Sequence, residues 1–188
     1  MSGEELDGEL VKQARLEEME EVRKHDLYDI VDESECWRYT GADPIGTRWV
    51  DINKGDNVNP EYRSRLVAQE IKRDKREDLF AATPPLEALN ILISMAISHV
   101  ESKKRDKEVR KMEFNGVRRA YFHAKVRRRL YVRLPPEASA GPGKCGRLKK
   151  AMYGTRDAAQ NWEAEYIRFM ESAGFKKGVR TPMRVLSL

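Results

Sequence analysis

The chain has 188 residues, 40% of them hydrophobic, enough for one folded domain with a real core, which excludes a wholly disordered polymer. Its net charge of +5 conceals an uneven split: residues 1–35 hold thirteen Asp/Glu against four Lys/Arg, and the remainder holds 32 Lys/Arg against 18 Asp/Glu. A body of +14 favours a polyanionic partner, most commonly nucleic acid, with a charge-rich solvated surface as the competing explanation.

Cys36 and Cys145 stand far apart and offer no metal-ligand spacing, so reduced thiols are expected. The start MSGEELDGEL lacks the order of a signal peptide, and no apolar run reaches membrane length. A soluble intracellular chain, cytoplasmic or nuclear, is expected.

From Glu4 to Lys24 strong helix formers predict a surface helix with a thin stripe of Leu6, Leu10, Ala14 and Met19 or Val22, its acids solvated. Leu27 to Val31 reads as a strand, with a turn at Asp43-Pro44. TRWVDIN (Thr47 to Asn53) and YRSRLVA (Tyr62 to Ala68), separated by turn chemistry, predict an antiparallel hairpin. Arg63 and Arg65 alternate and so share one cationic strand face, able to grip a phosphate. Ile71 to Asp78 is a charge run. LEALNILISMAISHV then predicts a largely buried helix, with His99 an ordinary surface histidine.

Val109 to Leu134 is the central stretch, a strand-like run broken at Gly116 and resumed by the adjacent aromatics Tyr121 and Phe122. Leu130 to Leu134 alternates as a strand, Pro135-Pro136 stops it, and Ala138 to Gly146 reads as a flexible loop. Cys145 to Tyr153 leads to Gly154. Arg156 to Ala173 predicts a helix with Ala159, Trp162, Tyr166, Phe169 and Met170 on its inner face, and the last eleven residues show no pattern.

Five of these stretches, in order, resemble the reverse transcriptase domain of copia-type retrotransposon Pol polyproteins. PIGTRWV is similar to the family's Trp-Val strand, YRSRLVAQ to its Arg-x-x-Arg-Leu-Val-Ala strand, and DLFAATPPLEALNILISMA to its Phe-Ala-Pro segment and helix. GVRRAYFHAKVRRRLYVRLPPE is similar to the motif running from Asp-Val to Pro-Pro, and LKKAMYGTRDAAQNW to the Leu-Tyr-Gly-Leu-Lys-Gln-Ala-x-x-x-Trp motif. The resemblance covers Ala14 to Gly178 and implies an α+β fold: the fingers and partial palm of a right-hand polymerase, an antiparallel sheet with packed helices. It implies an acidic helical lead-in over 1–35, the fingers and palm over 36–178, and an unpatterned end over 179–188.

The family's activity is RNA-directed DNA polymerisation by two-metal nucleotidyl transfer, so the resemblance implies Mg²⁺, a template-primer of RNA or DNA, and other Pol polyprotein modules as partners. It assigns nucleotide binding to Arg63, Arg65, Val117, Tyr121 and Phe122, and template binding to Lys149, Lys150, Tyr153, Gly154 and Arg156. Arg127, Arg128 and Arg129 are expected on the surface. The chain departs from the family where it matters most. Gly116 occupies the position of the first metal-binding Asp, neither Glu113 nor Asp106 is in register to replace it, and no Asp follows Asp157, where the second pair belongs. An inactive reverse transcriptase fragment is therefore expected, with a non-catalytic basic nucleic-acid-binding module as the alternative.

Overall fold

The computed structural model describes residues 6–56, 58–71, 90–91, 93–94, 116–177 and 186–187. The chain divides into two compact units, the first formed by Met1–Phe80 and Arg119–Glu165, the second by Ala81–Arg118 and Tyr166–Leu188.

In the first unit, helix α1 (Gly8–Lys24) begins where the Asp7 carboxylate accepts the Glu9 and Leu10 amides at 2.9 and 3.1 Å, satisfying donors the first turn leaves unpaired. Its buried residues are Ala14, Glu18, Met19 and Val22, a stripe at helical spacing, and this face packs on strand β3. The acidic character expected of a solvated helix thus has one exception, since Glu18 is only 4% exposed.

Strand β1 (Tyr28–Asp32) leads into helix α2 (Glu33–Thr40), which ends on Gly41 in the left-handed conformation. Strands β2 (Thr47–Asn53) and β3 (Tyr62–Ala68) form the expected hairpin, in register from Thr47 opposite Ala68 to Asn53 opposite Tyr62. Its turn is held by side chains: Asn53 accepts the Gly55 and Glu61 amides, and Asp56 those of Val58 and Asn59. Ser64, Leu66 and Ala68 are buried, while Arg63, Arg65 and Val67 alternate with them.

A second antiparallel sheet is assembled from distant parts of the chain in the order β1, β5, β4, where β4 is Tyr131–Arg133 and β5 is Lys144–Leu148. β5 corrects the expectation of a loop through Gly146. Glycine there reads as a strand breaker, but a Cβ at Gly146 would lie 2.9 Å from Leu134 Cδ2 and 3.1 Å from Tyr28 Cγ, so this strand needs glycine for close packing. Ion pairs tie the sheet margins: Arg147 to Asp29 and Glu35, each at 3.0 Å, and Lys144 to Asp32 at 2.7 Å. Ile45 joins hairpin to sheet, donating its N–H to Tyr131 O and accepting from Arg133 N, both at 2.8 Å.

The core gathers Met19, Val22, Leu27, Leu66, Ala68, Phe122, Leu130, Val132, Leu148 and Met152 from both sheets and α1. A smaller cluster holds Cys36, Tyr131 and Cys145, both cysteines being free, and burial pushes the Cys145 thiol up to about 11. It is an inert core thiol.

Helix α3 (Ala158–Ser172) buries Ala158 and Asn161, with Trp162 against Ala124, Ala151 and Ala158. Tyr166 and Phe169, expected on the inner face, are 37% and 65% exposed. In the second unit β6 (Lys176–Lys177) pairs with β7 (Leu186–Ser187), giving structure to part of the end expected to be unpatterned. Of the expected buried helix, Asn90, Ile91, Ile93 and Ser94 are described and helical, but Ile91 and Ile93 are 59% and 37% exposed. The remainder of that helix, His99, most of the charge run after Ile71 and the strand-like run from Val109 to Asn115 lie outside the described residues.

Candidate nucleotide and nucleic-acid site

Three elements of the first unit converge on Tyr153. β3 carries Arg63 and Arg65 on one face, a 3-10 turn (Ala120–His123) carries Tyr121 and Phe122, and a tight turn after β5 carries Tyr153 and Gly154. Ring centroids of Tyr121 and Tyr153 are 5.0 Å apart, those of Phe122 and Tyr153 5.7 Å, and the Arg65 guanidinium lies 5.3 Å over the Tyr153 ring. Four of the five residues assigned to nucleotide binding and two of the five assigned to the template therefore meet in one place. Phe122 is 1% exposed and belongs to the core, so it backs the aromatic shelf from beneath.

Gly154 is required for this geometry. Its φ is +83°, and a Cβ there would sit 1.9 Å from Ala68 O and 2.7 Å from Val67 Cγ1. The Ala68 amide donates to Tyr153 O at 2.7 Å, so the turn is laid directly on the end of β3.

Two further residues of this site were not expected. Arg119, in the left-handed conformation (φ 49°), places its guanidinium 3.0 Å from Glu18 and 3.3 Å from Glu21, fastening the aromatic turn to α1. Burial raises the Glu18 carboxyl above its usual range, and the charges of Arg119, Arg63 and Arg65 oppose that rise. Burial likewise raises the Tyr153 phenol, against the pull of Arg65 and Arg63. Glu18 Oε1 and Arg65 Nε are buried without a hydrogen-bond partner among the described residues. The sequence signal was present: Ala14, Glu18 and Val22 are spaced by four, so Glu18 sits within the apolar stripe.

Lys149, Lys150 and Arg156 have other partners within the first unit. Lys149 pairs with Asp26 and, at 2.8 Å, with Asp29, and the Lys150 amide donates to Leu27 O. The Arg156 amide donates to Glu70 at 2.8 Å. Val117 is exposed in the second unit. Arg128, expected on the surface with its neighbours, instead pairs with both oxygens of Glu70 at 2.7 Å and with Asp157 at 3.0 Å. These partners raise its already high pKa.

An arginine stacked on an aromatic shelf can hold a planar base or sugar against the rings and receive phosphate charge at the guanidinium edge. Fold and site together define an α+β protein with antiparallel sheets and an arginine stacked on an aromatic shelf. Over residues 25–182 the chain matches the family described as "Reverse transcriptase (RNA-dependent DNA polymerase)", and it belongs to that family. It is also 25% identical over 176 residues to the Retrovirus-related Pol polyprotein from transposon TNT 1-94 of Nicotiana tabacum. That match covers 90% of this chain but 12% of the relative's length, so the chain spans a small part of a polyprotein of this kind. The copia-type resemblance is borne out. No solved structure matches the chain.

The family implies Mg²⁺, and the donor set described here does not fit it. Gly116 has no side chain, Glu18 is committed to Arg119, and Asp157 and Glu70 are committed to Arg128. Among the described residues no group of three or more His, Cys, Asp or Glu is placed to hold a metal ion.

Proposed function

We propose that this chain is the fingers and partial palm of a copia-type reverse transcriptase, that it binds nucleotide and template-primer, and that by itself it performs no nucleotidyl transfer. The observation that carries this reading is Gly116. Nucleotidyl transfer through two metals depends on carboxylates that hold the ions and neutralise developing charge. In the family's register, the position that supplies the first carboxylate here supplies only backbone. The pocket reading is supported by Arg65, Tyr121 and Tyr153 sharing one site. Binding without turnover follows from keeping the shelf while lacking the metal ligand. The relatives' full activity and their other modules belong to the longer polyprotein and come to this chain only as part of this proposal.

Two measurements on the 188-residue chain test it. A fluorescent deoxynucleoside triphosphate binds, and Arg65→Ala or Tyr121→Ala weakens binding about tenfold or more, as loss of a charged or stacked contact requires. Primer extension on a poly(rA)/oligo(dT) substrate stays at background with Mg²⁺ or Mn²⁺. It also stays there in Gly116→Asp, since one carboxylate does not make a two-metal site. That variant folds normally, because a Cβ at Gly116 meets no atom within 4 Å. Extension by the wild-type chain that disappears in Tyr121→Ala refutes the inactive reading.

A further inference from the structure

We propose that a groove of the first unit, between α2 and the loop entering β4, binds a compact small-molecule polyphosphate whose phosphates radiate from a ring, the chemical class of the inositol polyphosphates. The groove has a volume of about 480 Å³, within the roughly 300–1,000 Å³ typical of small-ligand sites. It is lined by Arg38 and Tyr39 of α2, Arg127, Arg128 and Arg129 of the loop, and Arg147 of β5. Glu35 is the one carboxylate in its lining, and it already accepts from Arg147 and the Tyr131 hydroxyl, each at 3.0 Å. Arg128 is held by Glu70 and Asp157. Among the described residues no carboxylate pairs with Arg38, Arg127 or Arg129. Three exposed guanidiniums of like charge thus face one concavity and repel one another until an anion enters.

Two observations choose the ligand class. The arginines come from three elements, α2, the loop and β5, so cations stand on more than one side of the groove. A ligand charged all round meets every side. A nucleoside triphosphate carries its charge at one end, an extended strand carries its phosphates in a line, and a lipid headgroup is tethered through one ring position; each meets the arginines on one side only. The second observation is Tyr39, whose ring the Arg129 guanidinium covers at 4.0 Å from the centroid. The ring serves as a mount for that cation and not as a platform for a base. A guanidinium held flat on a ring loses little freedom on binding and keeps its N–H edge for bidentate bonds to phosphate. Arg128 and Arg147 are held likewise by their carboxylates, which leaves Arg38 and Arg127 to close on the anion. The inference does not depend on nucleotide binding at the Tyr121–Tyr153 shelf.

The test is isothermal titration of the full chain with myo-inositol hexakisphosphate at about 150 mM salt, where weak surface attraction is screened. One molecule binds per chain. Arg38→Ala and Arg127→Ala each weaken binding roughly 10- to 100-fold, as loss of a charge-assisted contact requires. Tyr39→Ala frees Arg129 and weakens binding about 2- to 5-fold, and Tyr39→Phe, which keeps the ring, restores it. Linear tripolyphosphate binds about tenfold more weakly or worse, because it meets one side of the groove. Lys12→Ala/Arg48→Ala/Lys54→Ala, which removes three exposed cations outside the groove, leaves the affinity within about threefold. Deoxynucleoside triphosphate binding at the other site is unchanged in every groove variant, which separates failure of this proposal from failure of the pocket reading. The proposal is overturned if Arg38→Ala and Arg127→Ala bind the hexakisphosphate as wild type does, or if tripolyphosphate binds as tightly. It is equally overturned if an oligo(dT) twelve-mer displaces the hexakisphosphate at equal phosphate concentration, or if vesicles carrying phosphatidylinositol 4,5-bisphosphate bind the chain more tightly than the soluble ligand does.

Discussion

Replacing Gly154 by alanine tests the packing that creates the aromatic shelf. The added methyl meets two separate costs. At φ +83° the left-handed backbone costs an L-residue about 1–2 kcal/mol. The methyl would also lie 1.9 Å from Ala68 O, a backbone atom that cannot swing aside, so the turn must lift from β3. Lifting breaks the 2.7 Å bond from the Ala68 amide to Tyr153 O and leaves a buried donor unsatisfied, costing about 1–3 kcal/mol more. The sum, about 2–5 kcal/mol, is a large fraction of the 5–15 kcal/mol that roughly bounds domain stability. Gly41→Ala is the matched control. Gly41 also has positive φ (+64°), but a Cβ there meets nothing within 4 Å, so only the backbone cost of about 1–2 kcal/mol applies. Urea unfolding followed by circular dichroism gives both values. If Gly154→Ala falls within about 0.5 kcal/mol of Gly41→Ala, a difference of the size seen for neutral surface changes, the close approach of the turn to β3 carries no energy and the reasoning fails.

Arg128→Ala leaves Glu70 and Asp157, 13% and 6% exposed, without their cation and destabilises by about 2–4 kcal/mol in urea melts. Arg127→Ala, at the exposed neighbour, stays within about 0.5 kcal/mol. Burial raises the Asp51 carboxyl, but hydrogen bonds from Arg15 and Ser64 outweigh it and hold the group below its usual range. Its contribution is present above the ordinary carboxylate value near pH 4 and lost as pH falls through the lowered one. Asp51→Asn is therefore destabilised relative to wild type at pH 7, and the gap narrows as pH falls below the ordinary carboxylate value. Glu18, raised by burial, acts in the opposite sense: it favours the fold when protonated, and that gain is lost as pH rises through the raised value. Glu18→Gln removes this component, visible as a flatter stability profile as pH rises above the ordinary carboxylate value.

The hairpin of β2 and β3 was legible to the residue because alternation and turn chemistry agreed locally. β5 was not, since its partners β1 and β4 lie elsewhere in the chain and its glycine serves a tertiary contact that no local pattern reveals. α2, eight residues of mixed propensity, was missed for the same reason: its position is set by Cys36 packing against Tyr131 and Cys145. In the site, motif order brought Arg65, Tyr121, Tyr153 and Gly154 to attention together. Glu18 and Arg128 were misread as solvated charges, because a charged residue's partner is a property of the fold and not of its neighbours in sequence.

The order of strands β1, β5, β4 also sets a timetable. β1 ends at Asp32, and its partner begins at Lys144, over a hundred residues later. At synthesis rates of about 5–20 residues per second, β1 waits roughly 5–20 s for a partner, while the β2–β3 hairpin closes in about 1–10 μs once both strands have emerged. Through that interval the nascent chain carries a finished hairpin beside an unpaired β1 strand, a template for association with other chains. The first unit is completed only when its last sheet strand is made, so a ribosome that stalls before Leu148 releases an aggregation-prone intermediate instead of a smaller working piece.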